Sequence, residues 1–454
     1  MKNSALNLLA AGVVSAGIAI LSSGCCSQCC GDSCAAPKSC GCAKAPEACT
    51  CASPCVCADC GCVYGNWGIK LPYPDMNAAH LILEKGKDGK MAINLNYNAA
   101  LQTVARTFDV LNAAQWGQAY WQAAANDGIA PTAASALYGN GATPSLVSTV
   151  NGFQTADTDW QDQVYSSAWT HNLSASISNA SDKGSYLFSA NYINQQGLMS
   201  ETFYKRISAR VNSTYNFNKY IRVGENLMIA KWDNRGADTN GDRGIPYSAM
   251  RQHPAIPVFS APGVYADPVA MLGSDIDNPV QTLYNMRDNQ NSSWRIFGNG
   301  YIEVMPVKGL TLKSNVGIEH VQFLNKTLTR NVRATDDPAN RAVSSGYGQG
   351  DTWTWTNTAN YLFDIATQHH FTVLAGTEAI KYVFEDLAAT RKDYAFEDAD
   401  YMQIGSGSGT MTNGGGKQEW ALFSLFGKVD YNFADRYLFS ATLRRDQTSR
   451  LHKV

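Results

Sequence analysis

Charged residues make up only 16% of this 454-residue chain, and they nearly cancel to a formal net charge of −2. So even a balance excludes a general nucleic-acid-binding surface. Beyond the first 25 residues, no apolar run approaches the ~20 residues that a spanning helix needs. With a mean hydropathy of −0.24, a helical membrane protein is excluded as well. Cysteine is missing after Cys62, although the chain holds 13 in all, so residues 63–454 carry no disulfide and no thiolate metal ligand. No nucleophile elbow, P-loop or H-E-x-x-H occurs. The chain is therefore not read as an enzyme, and no cofactor is required for a reaction.

What is present is alternation. Aromatics reach 11%, with 22 tyrosines. In residues 420–446, Ala421, Phe423, Leu425, Val429, Tyr431 and Phe433 fall on one face and Ser424, Lys428, Asp430 and Asn432 on the other. After the polar turn Ala434-Asp435-Arg436, the pattern resumes with Tyr437, Phe439, Ala441 and Leu443 against Ser440, Thr442 and Arg444. A period of two with a short turn between is a β-hairpin. The aromatics crowd its turn end, where a membrane barrel places rings at headgroup level.

The same pattern recurs from Met91 onward. The segments begin with Ile93/Leu95/Tyr97 against Asn94/Asn96/Asn98, then Leu173/Ala175/Ile177, Tyr186/Phe188/Tyr192 and Ile207/Ala209/Val211. Val223/Leu227/Ile229, Ile296/Ile302/Val304, Leu310/Leu312/Val316, Trp353/Trp355/Tyr361 and Phe371/Val373/Ala375 continue it to the hairpin. This makes eleven expected strands. Short turns alternate with long connections, expected at Gln102–Ala168 (helical near Ala113–Ala125), Lys231–Ser293 and Lys381–Lys417, as in transmembrane barrels. Each segment is about ten residues, enough for a tilted strand to cross hydrocarbon. The glycines of Gly405–Gly409 and Gly414–Gly416 read as loop tips. Trp232, Trp353 and Trp355 read as girdle anchors, with stacking on sugar rings as the rival role. Asp238, Asn240 and Asp242 superficially resemble a calcium loop, but Gly244 comes one place late for an EF-hand, and a solvated loop is the reading kept. His369-His370 reads as a wet turn.

The N-terminus differs in character. Met1–Gly24 reads as a signal peptide, with Lys2 as its positive end and Ala5–Leu21 as its apolar core. Leu21-Ser22-Ser23-Gly24-Cys25 looks like a lipoprotein cleavage site with Cys25 as the lipid acceptor. Residues 25–62 form a Cys-rich segment, read as disordered or foreign to the barrel. Its C-x-C units Cys40/Cys42, Cys49/Cys51, Cys55/Cys57 and Cys60/Cys62 suit soft d¹⁰ ions such as Zn or Cu. Disulfides in an oxidising envelope are the competing reading.

Several stretches resemble the SusC/RagA family of TonB-linked outer-membrane receptors. They are Thr158–Met199, Tyr204–Ala230, Arg295–His320 and, as a mid-barrel signature, FSLFGKVDYNFADRYLFSATLRRDQTSR at Phe423–Arg450. Leu81–Asn98 resembles the end of a plug running into the first barrel strand. The resemblance implies an all-β fold, here a partial transmembrane antiparallel β-barrel of about 11 of the 22 strands of a plugged transporter. It divides the chain into a signal peptide (1–24), a Cys-rich segment (25–62), a remnant of the plug end (63–90) and the first half of the barrel (91–454). It further implies residence in the cell outer membrane among its lipids, a SusD-like lipoprotein partner, the TonB complex, and uptake of an oligosaccharide or peptide. Since a plug and a second half-barrel are expected around residues 81–450, the chain reads as an incomplete copy that does not transport alone. The alternative is a surface lipoprotein whose Cys-rich segment binds metal on a β-rich carrier.

Overall fold

The computed structural model describes residues 90–450 except 130–136, 140–142, 242–243 and 334–335. The signal peptide, Cys25, the metal-ligand candidates Cys40, Cys42, Cys49, Cys51, Cys55, Cys57, Cys60 and Cys62, and the plug-end segment up to residue 89 all lie outside the described residues. Eleven strands make one antiparallel sheet in strict chain order. They are β1 (Ala92–Gln102), β2 (Ala168–Ser181), β3 (Gly184–Gln196), β4 (Phe203–Asn216), β5 (Ile221–Arg235), β6 (Gln290–Val304), β7 (Leu310–Thr329), β8 (Ala342–Ile365), β9 (His369–Lys392), β10 (Met411–Phe433) and β11 (Tyr437–Thr448). All eleven expected strands are present. Along one end run the tight turns at 182–183, 217–220, 305–309, 366–368 and 434–436; along the other run the connections at 103–167, 197–202, 236–289, 330–341 and 393–410.

Several strands are longer than the alternation predicts. β9 continues to Lys392 and β10 begins at Met411, so the loop expected over Lys381–Lys417 shrinks to 393–410. Gly414–Gly416 accordingly sit inside β10 and pair with Asp386, Leu387 and Ala388. The loop expected from Lys231 is also shorter, because β5 runs to Arg235 and β6 starts at Gln290. At about 3.3 Å per residue, the 24 residues of β8 reach roughly 80 Å along the strand. That length is more than twice that of the about 9–11 tilted residues that suffice to cross hydrocarbon.

Cross-strand register gathers the apolar residues on one face. Val316 pairs with Trp355, Ile318 with Trp353, Tyr361 with Val373, Val373 with Val429 and Val429 with Ala441. These side chains are not packed against a second layer: Val316 is 55% exposed and Leu443 80%. Polar Ser314, Asn357 and Thr377 interrupt the face. Ser314 Oγ accepts from Trp355 Nε1 at 3.0 Å. Arg445, beside Leu425 on β11, also crosses it, and nothing in the structure explains its place there.

The true hydrophobic core lies in the long connections. α1 (Ala113–Asn126) starts at Asn112, whose side chain accepts from Gln115 N while Gln115 Oε1 accepts from Asn112 N, a reciprocal cap. The short helices α2 (Trp160–Val164), α4 (Pro268–Leu272) and α5 (Pro279–Asn285) start at Asp159, Asp267 and Asn278, each of which caps two backbone N–H groups. With α3 (Ile245–Arg251) they bury Trp160, Val164, Ile245, Ile256, Met271 and Leu283 in one cluster. The two connections are stitched together by backbone and side chain. Ala156 N donates to Ala255 O, Thr158 N to Pro254 O, and Trp160 Nε1 to His253 O.

Candidate functional site

Two surfaces carry the functional geometry: the polar face of the sheet and the cap built by the long connections. On the polar face, side chains bond across strands in rows. Asn191 donates to Asn172 (2.7 Å), Asn226 to Asn299 (3.2 Å) and Asn299 to Asn315 (2.6 Å). Glu303 accepts from Arg222 at 3.4 Å and lies 3.1 Å from Lys313 Nζ. Arg295 pairs with Glu319, and Arg444 with Glu378 at 3.0 Å. Such a wall of paired amides and ions suits contact with water and a polar solute, not with lipid.

Aromatics do appear on this wall, three of them lying against a glycine. A Cβ on Gly224 would fall 2.5 Å from the Tyr301 ring, one on Gly376 2.4 Å from Phe426, and one on Gly348 2.4 Å from Phe323. Cations cover two of these rings, with Lys313 Nζ 3.9 Å from the Tyr301 centroid and Arg444 5.8 Å from that of Phe426. Glycine removes the side chain so the ring can lie against the backbone, the arrangement known as aromatic rescue. Ser424 is fully buried beneath Arg444, whose Nη2 donates to its Oγ at 2.9 Å.

On the opposite face, the turn end carries a band of rings. Tyr361 stacks on Phe363 (5.1 Å), Phe363 on Phe371 (5.2 Å) and Phe371 on Tyr431 (4.7 Å), and Phe433 stacks on Tyr437. At the other margin of the apolar face, polar groups return as the outward hydrogen-bonded pair His320–Asp351 (2.7 Å) and the ion pairs Lys381–Glu419 (2.6 Å) and Lys417–Glu385 (2.8 Å). On β8 the outward apolar run lasts from Trp353 to Phe363. At ~3.3 Å per residue and the roughly 40° tilt usual for barrel strands, that run would span about 25 Å of height, comparable to the apolar band of outer-membrane barrels. A shallow recess of about 1030 Å³ lies along this face, lined chiefly by Leu312, Ala359, Val373, Leu425, Val429 and Leu443. That surface suits hydrocarbon rather than a polar ligand.

The cap is held by arginines. Arg330, with 1% of its side chain exposed, pairs with Asp288 and donates to the carbonyls of Asn285 and Glu397. It thereby ties the connections at 236–289 and 393–410 to the end of β7. Arg333 bonds Asp277 (2.6 Å), and Arg341 bonds Glu397 (2.9 Å) together with the carbonyls of Tyr394 and Ala395. His253 lies against Trp116, with ring centroids 4.4 Å apart, and its Nδ1 accepts from Ala255 N. Burial lowers its pKa to about 4. Tyr138, laid over Gly117 of α1, is pushed up to about 12 by burial and by the nearby Asp157. Exposed rings stand on the cap, among them Phe259, Tyr284, Phe396 and Tyr401.

The residues singled out in the sequence fall as follows. Trp353 and Trp355 lie on the apolar face, opposite Ile318 and Val316. Trp232 instead pairs with Arg206 and Ser293 on the polar face, so it is no girdle residue. His369 and His370 diverge: the first bonds Tyr431 OH and the second Asp364. Both open β9 rather than a turn. Asp238 accepts from Asn240 N in a local turn, and Asp242 lies outside the described residues. Among the described residues no three His, Cys, Asp or Glu side chains converge as for a metal ion. Sequence reasoning missed the arginine-tied cap, because its partners stand 40 to 70 positions apart and follow no period.

No protein-family model matches the chain. Among curated proteins it is 26% identical over 389 residues to TonB-dependent receptor P3 of Formosa agariphila, covering 82% of this chain and 35% of the relative. It is 23% identical over 395 residues to TonB-dependent receptor SusC of Bacteroides thetaiotaomicron, covering 82% and 36%. The chain thus spans about a third of the length of the curated relatives it matches. Among solved structures, the RagAB peptide transporter superposes with a TM-score of 0.65 at 24% identity, over 81% of this chain and 43% of that one; the likeness is one of fold. An uninterrupted eleven-strand meander, two-sided in polarity, is thus similar in sequence to TonB-dependent receptors, SusC among them, and similar in fold to the RagAB peptide transporter.

Proposed function

We propose that these residues form barrel wall and outer cap of an outer-membrane importer that takes up oligosaccharides or peptides by TonB-driven transport. A SusD-like lipoprotein would cover the outer mouth. The observation that carries this reading is the two-sidedness of the sheet. Its outward face is an exposed apolar band about 25 Å tall, bounded by rings below and ion pairs above; its inward face is a hydrogen-bonded polar wall. In hydrocarbon an unpaired strand edge leaves backbone groups that cost several kcal/mol each. The free edges of β1 and β11 are therefore where further strands of the whole receptor would pair. The capped, arginine-tied connections would supply a rigid rim on which solute and lid meet, with exposed aromatics for sugar or peptide contact.

The test is nutrient uptake by cells in which the receptor carrying these residues is either intact or has 236–289 replaced by a short Gly-Ser linker. Labelled oligosaccharide and oligopeptide pools serve as separate substrates. Energised accumulation of one pool, lost with the replacement and on dissipating the proton-motive force, is expected. Equal accumulation by cells with no receptor at all would overturn the reading.

A further inference from the structure

On the outward face above the apolar band, β3, β4 and β5 present a patch of different character from the charge-balanced margin of β8–β10. Tyr192, Ile207 and Lys231 pair in one row, and the next row upward reads His171, Asn194, Lys205 and Asp233. Within it Phe203 is flanked by two cations: Lys205 Nζ stands 5.2 Å from its centroid and Arg235 Cζ 5.1 Å. Lys231 lies 5.7 Å from the Trp294 ring. Arg235 already meets Glu201 at 3.0 Å, and Lys231 stands 3.8 Å from Asp233. Among the described residues, Lys205 has no carboxylate within ion-pair distance. Beside it opens a recess of about 340 Å³ lined by hydroxyls and amides, including Ser166, Asn194, Gln196 and Thr202, together with Lys205, Arg235 and Glu201, the carboxylate that Arg235 already pairs. Asn194 Oδ1 is buried there without a hydrogen-bond partner.

We propose that this patch binds the phosphorylated sugar headgroup of an outer-leaflet glycolipid. The inference rests on the outer-membrane placement proposed above. A bilayer with acyl chains against Tyr192 and Ile207 carries its headgroups at the next row up, the height of Lys205. A phosphate supplies the anion that Lys205 lacks, and Arg235, beside the same ring, is a second donor. A sugar supplies hydroxyl donors for Asn194 Oδ1 and fits a recess lined by hydroxyls and amides. Lys205 and Lys231 have stems long enough to lie on apolar surface with their charges in the headgroup layer. A plain zwitterionic headgroup has the phosphate but not the ring of hydroxyls, and a neutral glycolipid the reverse.

The full chain is reconstituted into phosphatidylcholine vesicles containing either bisphosphorylated lipid A or its dephosphorylated form, and floated on a density gradient. Lipid retained by the protein after detergent re-extraction is then quantified. Wild-type chain is expected to retain roughly tenfold more of the phosphorylated form, and Lys205→Gln to lose most of that preference, since a charge-assisted contact is removed. Asn194→Leu lowers retention of both forms. Lys308→Gln, in the turn at the opposite end of the sheet, leaves it unchanged. Inorganic phosphate at millimolar concentration does not displace the lipid; if it does, the site takes free anion and the headgroup assignment is overturned. Equal retention of both lipid forms by chain that floats with the vesicles overturns the headgroup site alone. Chain that never floats overturns the membrane placement and this inference with it.

Discussion

Gly376 shows how one missing side chain sets local structure on the polar wall. The Phe426 ring occupies the space of its Cβ, Asn357 O would lie 3.0 Å away, and Arg444 sits over the outer side of the ring. Gly376→Ala should therefore displace the ring and its cation together and cost about 1–3 kcal/mol, as overpacking does. Gly414, in the upper part of β10 with nothing within 4 Å of its would-be Cβ, should accept alanine with little change. Denaturant titration of the two variants reads the difference. His253 gives a second residue-scale outcome. Its folded pKa of about 4 lies below the ordinary 6.5, because a buried imidazolium is poorly solvated. The unfolded chain therefore binds the proton first as pH falls. Its contribution to the cap is complete above about 6.5, declines below that value and reaches its floor near 4. Asparagine keeps an acceptor for Ala255 N but does not titrate, so His253→Asn should flatten that part of the profile. Protease resistance of residues 236–289 measured from pH 7 to pH 4 checks it; identical profiles for both proteins would remove His253 from the account.

Among the elements, the cap depends on Arg330 more than on any of its short helices. Its guanidinium is buried and serves Asp288 and two backbone carbonyls from two different connections. Arg330→Met leaves the Asp288 carboxylate and both carbonyls without their donor. The cost should fall below the about 3–5 kcal/mol of a fully buried pair, because the Asp288 side chain is 34% exposed and Arg287 Nε stands 3.7 Å from it. Hydrogen exchange should rise together across 236–289, 330–341 and 393–410, while β2–β4 stay protected; faster exchange in one connection alone would show that they are not coupled. This element was illegible in the sequence. The strands could be read where one face is apolar and the other polar, which imposes a period of two, as in Phe423/Leu425/Val429 against Ser424/Lys428. Above the band both faces meet water, the period disappears, and glycine-rich stretches such as Gly414–Gly416 look like loops although they pair in register with β9. Trp232 misled for a related reason: an aromatic near a strand end signals a girdle only when its parity matches the apolar set, and Trp232 shares parity with Arg206. Of the cap, only α1 was visible. The rest depends on contacts such as Trp160 to His253, which no local pattern encodes.

For the whole molecule, the decisive property is which side of the sheet meets hydrocarbon. Val316 and Thr354 lie on neighbouring strands, within two residues of each other in register, on opposite faces. Val316 stands amid Trp355, Leu312 and Ile318 on the exposed apolar side; Thr354 is half-buried on the polar wall opposite Gly317. Arginine on the lipid face of a barrel costs about 2–4 kcal/mol at the bilayer centre, falling toward the interfaces, because the charge must leave water or deform the bilayer to keep it. On the lumen side the same charge stays hydrated and joins a wall already rich in Arg222, Arg295 and Arg444. Val316→Arg should therefore reduce folded, vesicle-inserted protein and lower the guanidinium midpoint, while Thr354→Arg should insert like the parent chain. Measuring both in vesicles and again in urea-dispersed detergent separates a lipid effect from a packing effect, since only a lipid effect shrinks when the bilayer is removed. A larger penalty at Thr354 than at Val316 would mean that the polar wall, not the apolar band, faces the membrane, and the inside-out assignment of every strand would have to be reversed.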